Sequence, residues 1–196
     1  MSSTTIDLLA PLHRLTVDQY MEMGRLGLLA EELRVELIDG VVVEMSPAAP
    51  PHRLAVMFLN RGIVPQLAGD AIVSPQQGVP LPALQSMPEP DIALLPLDAR
   101  GAPTAAPPLL VIEVSASSLR YDRITKARLY ARAGVGDYWI VNVGDETAEV
   151  HREPSEDAYA SRTVHRAGET LRPLELPGVA VELAPLFDFA AGRLSG

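Results

Sequence analysis

The sequence predicts an α/β (α+β) protein, a mixed central β-sheet flanked by helices and preceded by an N-terminal helix and a β-hairpin. Three observations carry that prediction. Short apolar runs at Ile92-Ala93-Leu94-Leu95, Leu109-Leu110-Val111-Ile112 and Tyr138-Trp139-Ile140-Val141 have the continuous hydrophobicity of strands buried on both faces. An Asp39-Gly40 pair joins two alternating runs, the strongest short-range hairpin signal. The elements then follow in the order helix, hairpin, helix, three strands, helix, one or two strands, which suits a sheet with helices packed on it.

Composition bounds the answer. The 196 residues fit one domain able to bury a sizeable core, read as a single domain over 1–196 with its core at about 34–152 and C-terminal strands and turns at 153–196. There is no cysteine, which excludes disulfides, thiolate metal sites and cysteine nucleophiles. No apolar run reaches the roughly 18 residues that span a bilayer. The start, MSSTTIDLLAPLHR, lacks a basic lead and an apolar signal core, so the expected location is cytoplasmic. A formal charge of −9 argues against non-specific coating of nucleic acid, which needs many Lys and Arg contacts, but leaves room for a local basic groove. The 18 prolines and the preference for Arg over Lys suggest a GC-rich bacterial genome.

Residues 1–13 read as a loose lead-in. From Leu15 to Leu29, Val17, Tyr20, Met21, Met23, Leu26 and Leu28 mark an amphipathic helix starting near Thr16 or Asp18, weakened by Gly24 and Gly27. The hairpin runs from Arg34 to Met45. After a proline-rich break at Ser46–Pro51, a helix is expected from about His52 to Leu67, and then a broken strand at Ala71–Val73 and Gln77–Val79. The Asp91 strand and an Ala/Pro/Gly stretch at 98–107 lead to the Leu109 strand. A helix ending on Gly134 as a left-handed cap follows, then the Asp137–Val143 strand and a hairpin across Gly144-Asp145 to Ala148–Arg152. Tyr159–Val164 and Val179–Leu183 read as short edge strands and turns.

The chemistry centres on Leu109–Gly134. Alternation puts Leu109, Val111, Glu113 and Ser115 on one strand face, with Leu110, Ile112 and Val114 on the other. A carboxylate on such a strand is costly to desolvate unless a cation, a metal or several donors meet it. Of the 16 basic residues only Lys126 is lysine, and it sits on the next helix.

The segments PEPDIALL, LLVIEVSASS and YDRITKARLYARAGVGDYWIVNV, in that order, resemble the PD-(D/E)XK nuclease superfamily, and more narrowly its Uma-type (Uma-two) endonuclease family with a restriction-endonuclease-like fold. VELIDG and LPGVAVELAPLF match as well, so the resemblance runs from about Leu15 to Leu186. It implies Mg²⁺- or Mn²⁺-dependent hydrolysis of DNA phosphodiester bonds, with Asp91, Glu113 and the Val114 carbonyl as metal ligands. Two converging carboxylates suit a hard cation that keeps several waters. Lys126 would then orient the attacking water and stabilise charge on the phosphate. The superfamily's usual third motif has its lysine two residues after the acid, where this chain has Ser115, and Lys126 fits a lysine moved to the following helix. Glu36, alternating with Ile38, is the candidate additional acid; His52 and Gln77 are candidate substrate contacts. A homodimer is consistent with nucleases of this fold.

Plainer readings stand beside these. Asp91 after proline has a plainer reading as a turn or strand-start residue, Glu113 as half of a structural ion pair with an arginine, and a lone helical lysine as solvated. His52 reads as a helix-start residue and Glu36 as an exposed hairpin acid. Asp122 reads as a cap or first-turn acid, and Tyr130 and Trp139 as packing. His13, His151 and His165 are scattered and assigned no site. The rival function is a degraded nuclease-like scaffold that binds nucleic acid or a protein without cleaving.

Overall fold

The computed structural model describes residues 12–29, 34–67, 69, 71–98 and 100–193; the expected lead-in at 1–13 lies, up to residue 11, outside them. The chain divides into two compact units, Met1–Met45 with Pro80–Pro88, and Ser46–Val79 with Glu89–Gly196.

In the first unit, helix α1 (Val17–Arg25) starts on a capping box, with Thr16 accepting from the Gln19 amide and the Gln19 side chain accepting from the Thr16 amide. It ends at Arg25 rather than at the expected Leu29, and Gly27 follows at φ 69°. Strands β1 (Val35–Ile38) and β2 (Val41–Glu44) form the predicted hairpin. Asp39 and Gly40 take φ values of 48° and 74°, as a type I′ turn requires at both central positions. A Cβ on Gly40 would come within 2.5 Å of the Arg14 Cβ, so room and dihedral both demand glycine there.

The second unit holds a six-stranded sheet in the order β3 (Ala71–Pro75), β4 (Ile92–Pro96), β5 (Leu110–Ser115), β6 (Asp137–Asn142), β7 (Thr147–Pro154) and β8 (Tyr159–Arg166). Neighbours are antiparallel except β5 and β6, which run parallel and are joined by a helical crossover. The sheet is therefore mixed, as predicted, and its sixth strand extends past the expected core limit at residue 152.

Strand β5 is buried along its whole length. Leu110, Ile112 and Val114 join Trp139, Val141, Ala148 and Val150 in a core closed by α2 (Pro50–Ile63) and α5 (Leu183–Ala190). Val111 joins Tyr138 and Ile140 on the opposite face, packed against Ala127 and Tyr130 of the crossover. Leu109, expected on the Val111 face, precedes the strand and packs with the α2–α5 core instead.

Helix α2 begins at Pro50, two residues before the expected start, because proline at the first helical position loses no bond. The expected broken strand is one strand, β3, stopped by Gln76 at φ 50°. The C-terminal region holds a short pair, β9 (Thr170–Leu171) with β10 (Val181–Glu182), and then a helix that was not expected. In α5, Leu183, Leu186, Phe187 and Ala190 are buried at helical spacing, and Pro185 is tolerated in a first turn whose amides have no helical partner.

The crossover comprises α3 (Leu119–Tyr121), a π-helical turn (Asp122–Lys126) and α4 (Ala127–Arg132). Gly134 ends it at φ 77°, with the Val135 amide donating to Tyr130 O and the Gly134 amide to Ala131 O, a Schellman closure. The predicted glycine cap is the one found.

Candidate active site

Glu113 stands on β5 on the face that Val111 shares with the crossover helix. Its carboxylate is met from that helix: Lys126 Nζ lies 3.1 Å from Glu113 Oε1, and the Tyr130 hydroxyl donates to the same oxygen at 2.8 Å. All three residues are buried. Lysine is rarely fully buried without a partner, and a lone carboxylate would be costly in the same place. Each therefore accounts for the other. The ammonium also lies 5.9 Å from the Tyr121 ring centroid and 5.8 Å from that of Tyr130, within cation–π range.

The helix is α-helical on either side of Lys126 but widens to i→i+5 bonding over Asp122–Lys126. Both ends of that turn point inward. Asp122, expected as a cap or first-turn acid, is buried and accepts hydrogen bonds from the hydroxyls of Ser115 and Ser118. Burial pushes its carboxyl above the usual aspartate range, opposed by the two hydroxyls and by the Lys126 charge. Ser115, two residues after Glu113, thus serves Asp122, and the cation comes from the helix.

Asp91 sits immediately before β4. The register pairs Ile92 with Ile112, which brings Asp91 opposite Glu113 at the end of adjacent strands. The Val114 amide donates to Asp91 Oδ2 at 2.8 Å, so the bond that would continue the ladder is made to a side chain. His52, in the first turn of α2, places Nε2 2.9 Å from the same oxygen. The other ring nitrogen, Nδ1, is buried and has no hydrogen-bond partner among the described residues. The Gln76 amide reaches Asp91 Oδ1 at 3.4 Å.

The structure brings Asp91, Glu113, Val114, Lys126 and His52 together on β4, β5, α2 and the crossover. Gln77 is not among the Asp91 partners: its amide bonds the Gln76 carbonyl, and Gln76 is the residue that turns inward. Glu36 lies buried on β1 of the first unit, paired in register with Val43. Tyr130, Asp122 and Gln76 were missed by sequence reasoning. Tyr130 alone carried a usable signal, since it follows Lys126 by four residues and so shares its helix face.

Among the described residues, no group of three or more His, Cys, Asp or Glu side chains is spaced to enclose a metal. The donors at Asp91 and Glu113 are nevertheless all hard oxygens, and Mg²⁺ is commonly held through one or two carboxylates with water completing the shell. The residues present fit such an ion. Among the described residues, no helix is long and apolar enough to cross a membrane.

A family model described as Uma2, putative restriction endonuclease, matches residues 17–185. The fold is similar to the crystal structure of a putative nuclease belonging to DUF820 from Anabaena variabilis ATCC 29413, with a TM-score of 0.71 at 15% identity over 90% of this chain and 99% of that one. A slighter likeness, TM-score 0.40 at 15% identity, joins 74% of this chain to 17% of the type IIG restriction endonuclease BpuSI. No curated protein matches the sequence.

Proposed function

The chain belongs to the Uma2 family of putative restriction endonucleases, and from that premise we propose that it is a divalent-metal-dependent endonuclease that cleaves DNA phosphodiester bonds with an activated water. One relationship supports the reading above the rest. The single lysine of the sequence is buried 3.1 Å from the carboxylate of Glu113, while Asp91 stands opposite on the adjacent strand.

In this reading Asp91, Glu113 and the Val114 carbonyl hold Mg²⁺ or Mn²⁺. When bound, such an ion supplies Lewis acidity toward the scissile phosphate and an acidified water. The chain's own residues do the rest. His52 and Gln76 fix the Asp91 carboxylate, and Tyr130 fixes Glu113. Lys126 orients the water and offsets negative charge developing on the phosphate, a role suited to a compact ammonium. The reading includes a cytoplasmic location, expected from the sequence, and a homodimer in which each copy addresses one strand, as in many nucleases of this fold.

The test is nicking of supercoiled plasmid with Mg²⁺ or Mn²⁺ by wild type, Glu113→Ala and Lys126→Ala. Cleavage that chelator and both variants abolish supports the reading, and cleavage surviving in the variants removes these residues from it. Ser115 in the usual lysine position favours one rival, a scaffold that binds without cutting. That rival predicts no cleavage by any variant and no rise in melting temperature with either metal.

A further inference from the structure

We propose that Arg123 and Arg162, both held by the buried Glu149, form a docking site for a backbone phosphate of the nucleic acid, beside the Glu113–Lys126 pair. The proposal rests on the nuclease reading and adds a second contact region to it.

Glu149 lies on β7 with its side chain only 1% exposed, yet it accepts from three residues. Arg123 donates through Nε at 2.8 Å and through Nη2, Arg162 through Nε at 2.9 Å, and His151 places Nε2 at 3.2 Å. Burial alone would raise the Glu149 carboxyl, but these hydrogen bonds outweigh it and hold the group at about 2. Burial in turn lowers the His151 imidazole below its ordinary 6.5, which keeps it uncharged at neutral pH. The cluster then carries two positive charges against one negative. A structural ion pair needs one arginine; this carboxylate has two.

The arginines are not buried with their partner. Their side chains are 42% and 48% exposed, so the surplus charge faces solvent at a fixed place. Glu149 engages Nε of each and one terminal nitrogen of Arg123, leaving further N–H donors on both guanidinium groups. That fork geometry is the one that meets phosphate bidentately, and a guanidinium pinned on one side loses less entropy when it does so.

Position ties the cluster to the candidate active site. Ile140 on β6 pairs in register with Glu113 on one side and with Glu149 on the other. The two carboxylates therefore lie in one row on one sheet face, two strand spacings or about 10 Å apart. Arg123 and Lys126 stand on the same π turn, one reaching each carboxylate. Each strand of a nucleic acid carries a phosphate for every ~3.4 Å of axis, so a strand with one phosphate at Lys126 brings others within reach of the arginine pair.

The experiment is fluorescence anisotropy of a labelled DNA duplex with Ca²⁺ in place of Mg²⁺, over a series of salt concentrations. Wild type is compared with Arg123→Gln, Arg162→Gln, Arg162→Lys and a control, Arg172→Gln, whose guanidinium binds the Pro177 carbonyl. Both arginine-to-glutamine variants should bind more weakly, each with a log K against log[salt] slope shallower by about 0.9. Arg162→Lys should keep the wild-type slope, and so should the control. Wild-type binding and slope in both glutamine variants would overturn the inference, leave Glu149 a purely structural anchor, and leave the nuclease reading intact. A slope that Arg162→Lys fails to restore would also overturn it, as a folding effect. A wild type that binds no DNA would remove the inference and the nuclease reading together.

Discussion

Lys126 Nζ and Glu113 Oε1 stand 3.1 Å apart although they are thirteen positions apart in sequence and one is on a helix, the other on a strand. With side chains 2% and 7% exposed, neither charge has much water to fall back on. Such a pair adds little net stability against an apolar alternative, but removing one partner leaves an uncompensated buried charge.

Lys126→Met should accordingly lower the unfolding free energy by about 3–5 kcal/mol, since it strands Glu113. The double variant Glu113→Gln/Lys126→Met should recover much of that loss while remaining unable to cleave. Urea denaturation of wild type, both single variants and the double variant gives the coupling. A double variant no more stable than Lys126→Met would show that the pair is not the dominant interaction of either residue.

Tyr130→Phe removes one hydrogen bond to a charged acceptor and leaves the ring packing in place. Bonds to charged groups contribute about 1.5–3 kcal/mol, so a loss in that range is expected by denaturation. If Tyr130 positions Glu113 for catalysis, kcat should fall while KM for DNA stays constant. An unchanged kcat would leave Tyr130 with a structural role alone.

Acid stability should show two windows of opposite chemistry but equal sign. The Glu149 carboxyl is held at about 2 against an ordinary 4.5, so its contribution is complete above 4.5 and is lost as pH falls toward 2. His151 is lowered from 6.5, so the unfolded chain takes its proton first and stability falls as pH drops through 6.5. Asp122 opposes both: its raised carboxyl favours the fold most below 3.8, and that favour fades as pH rises through its folded value. Urea midpoints at pH 7, 5 and 3 should decrease in order. Glu149→Gln should flatten the lower step and His151→Asn the upper one, and an undiminished wild-type midpoint at pH 3 would contradict the Glu149 assignment.

Much of this was legible because apolar patterning leaves few choices for a central strand. The run Leu110–Val114 with Glu113 inside it announced both a buried strand and a charge in need of a partner. The expected partner was a metal ion, with Lys126 acting on the water, whereas in the structure the Lys126 ammonium itself meets the carboxylate. The helix after the strand was equally legible, down to its glycine cap. The π turn was not, because sequence periodicity does not distinguish i→i+4 from i→i+5 bonding over five residues, and the depth of Asp122 depends on that turn. Helix α5 was obscured by Pro185, which breaks a helix interior but not a first turn. Gln76 and Gln77 differ only in which side of β3 the chain leaves by, set by a positive φ that no residue type there demands. Glu149 looked like one strand acid among many. Its two arginines arrive from the crossover and from β8, 26 residues before it and 13 after.

Asp137 carries the strongest purely structural prediction. It opens β6 with no exposure, yet its carboxylate accepts from Trp139 Nε1 at 2.8 Å, from Arg152 Nε at 3.0 Å and Nη2 at 3.1 Å, and from the Leu174 amide at 2.9 Å. The partners come from β6 itself, from β7 and from the segment after β9, so one side chain ties three parts of the chain together. Asp137→Ala would leave the indole N–H, the backbone amide and a guanidinium only 31% exposed without their shared acceptor. Loss of one partner from such a buried network costs about 3–5 kcal/mol, and Asp137→Asn, which keeps an acceptor but loses the charge, should cost less. Asp137, paired with Arg152 of β7, opens β6 away from the strand ends that hold Asp91 and Glu113, so metal-dependent cleavage per folded molecule should be unchanged in both variants. Chemical denaturation read beside plasmid nicking separates the two effects. A fully stable Asp137→Ala would mean that water replaces the carboxylate at no cost, which its complete burial argues against.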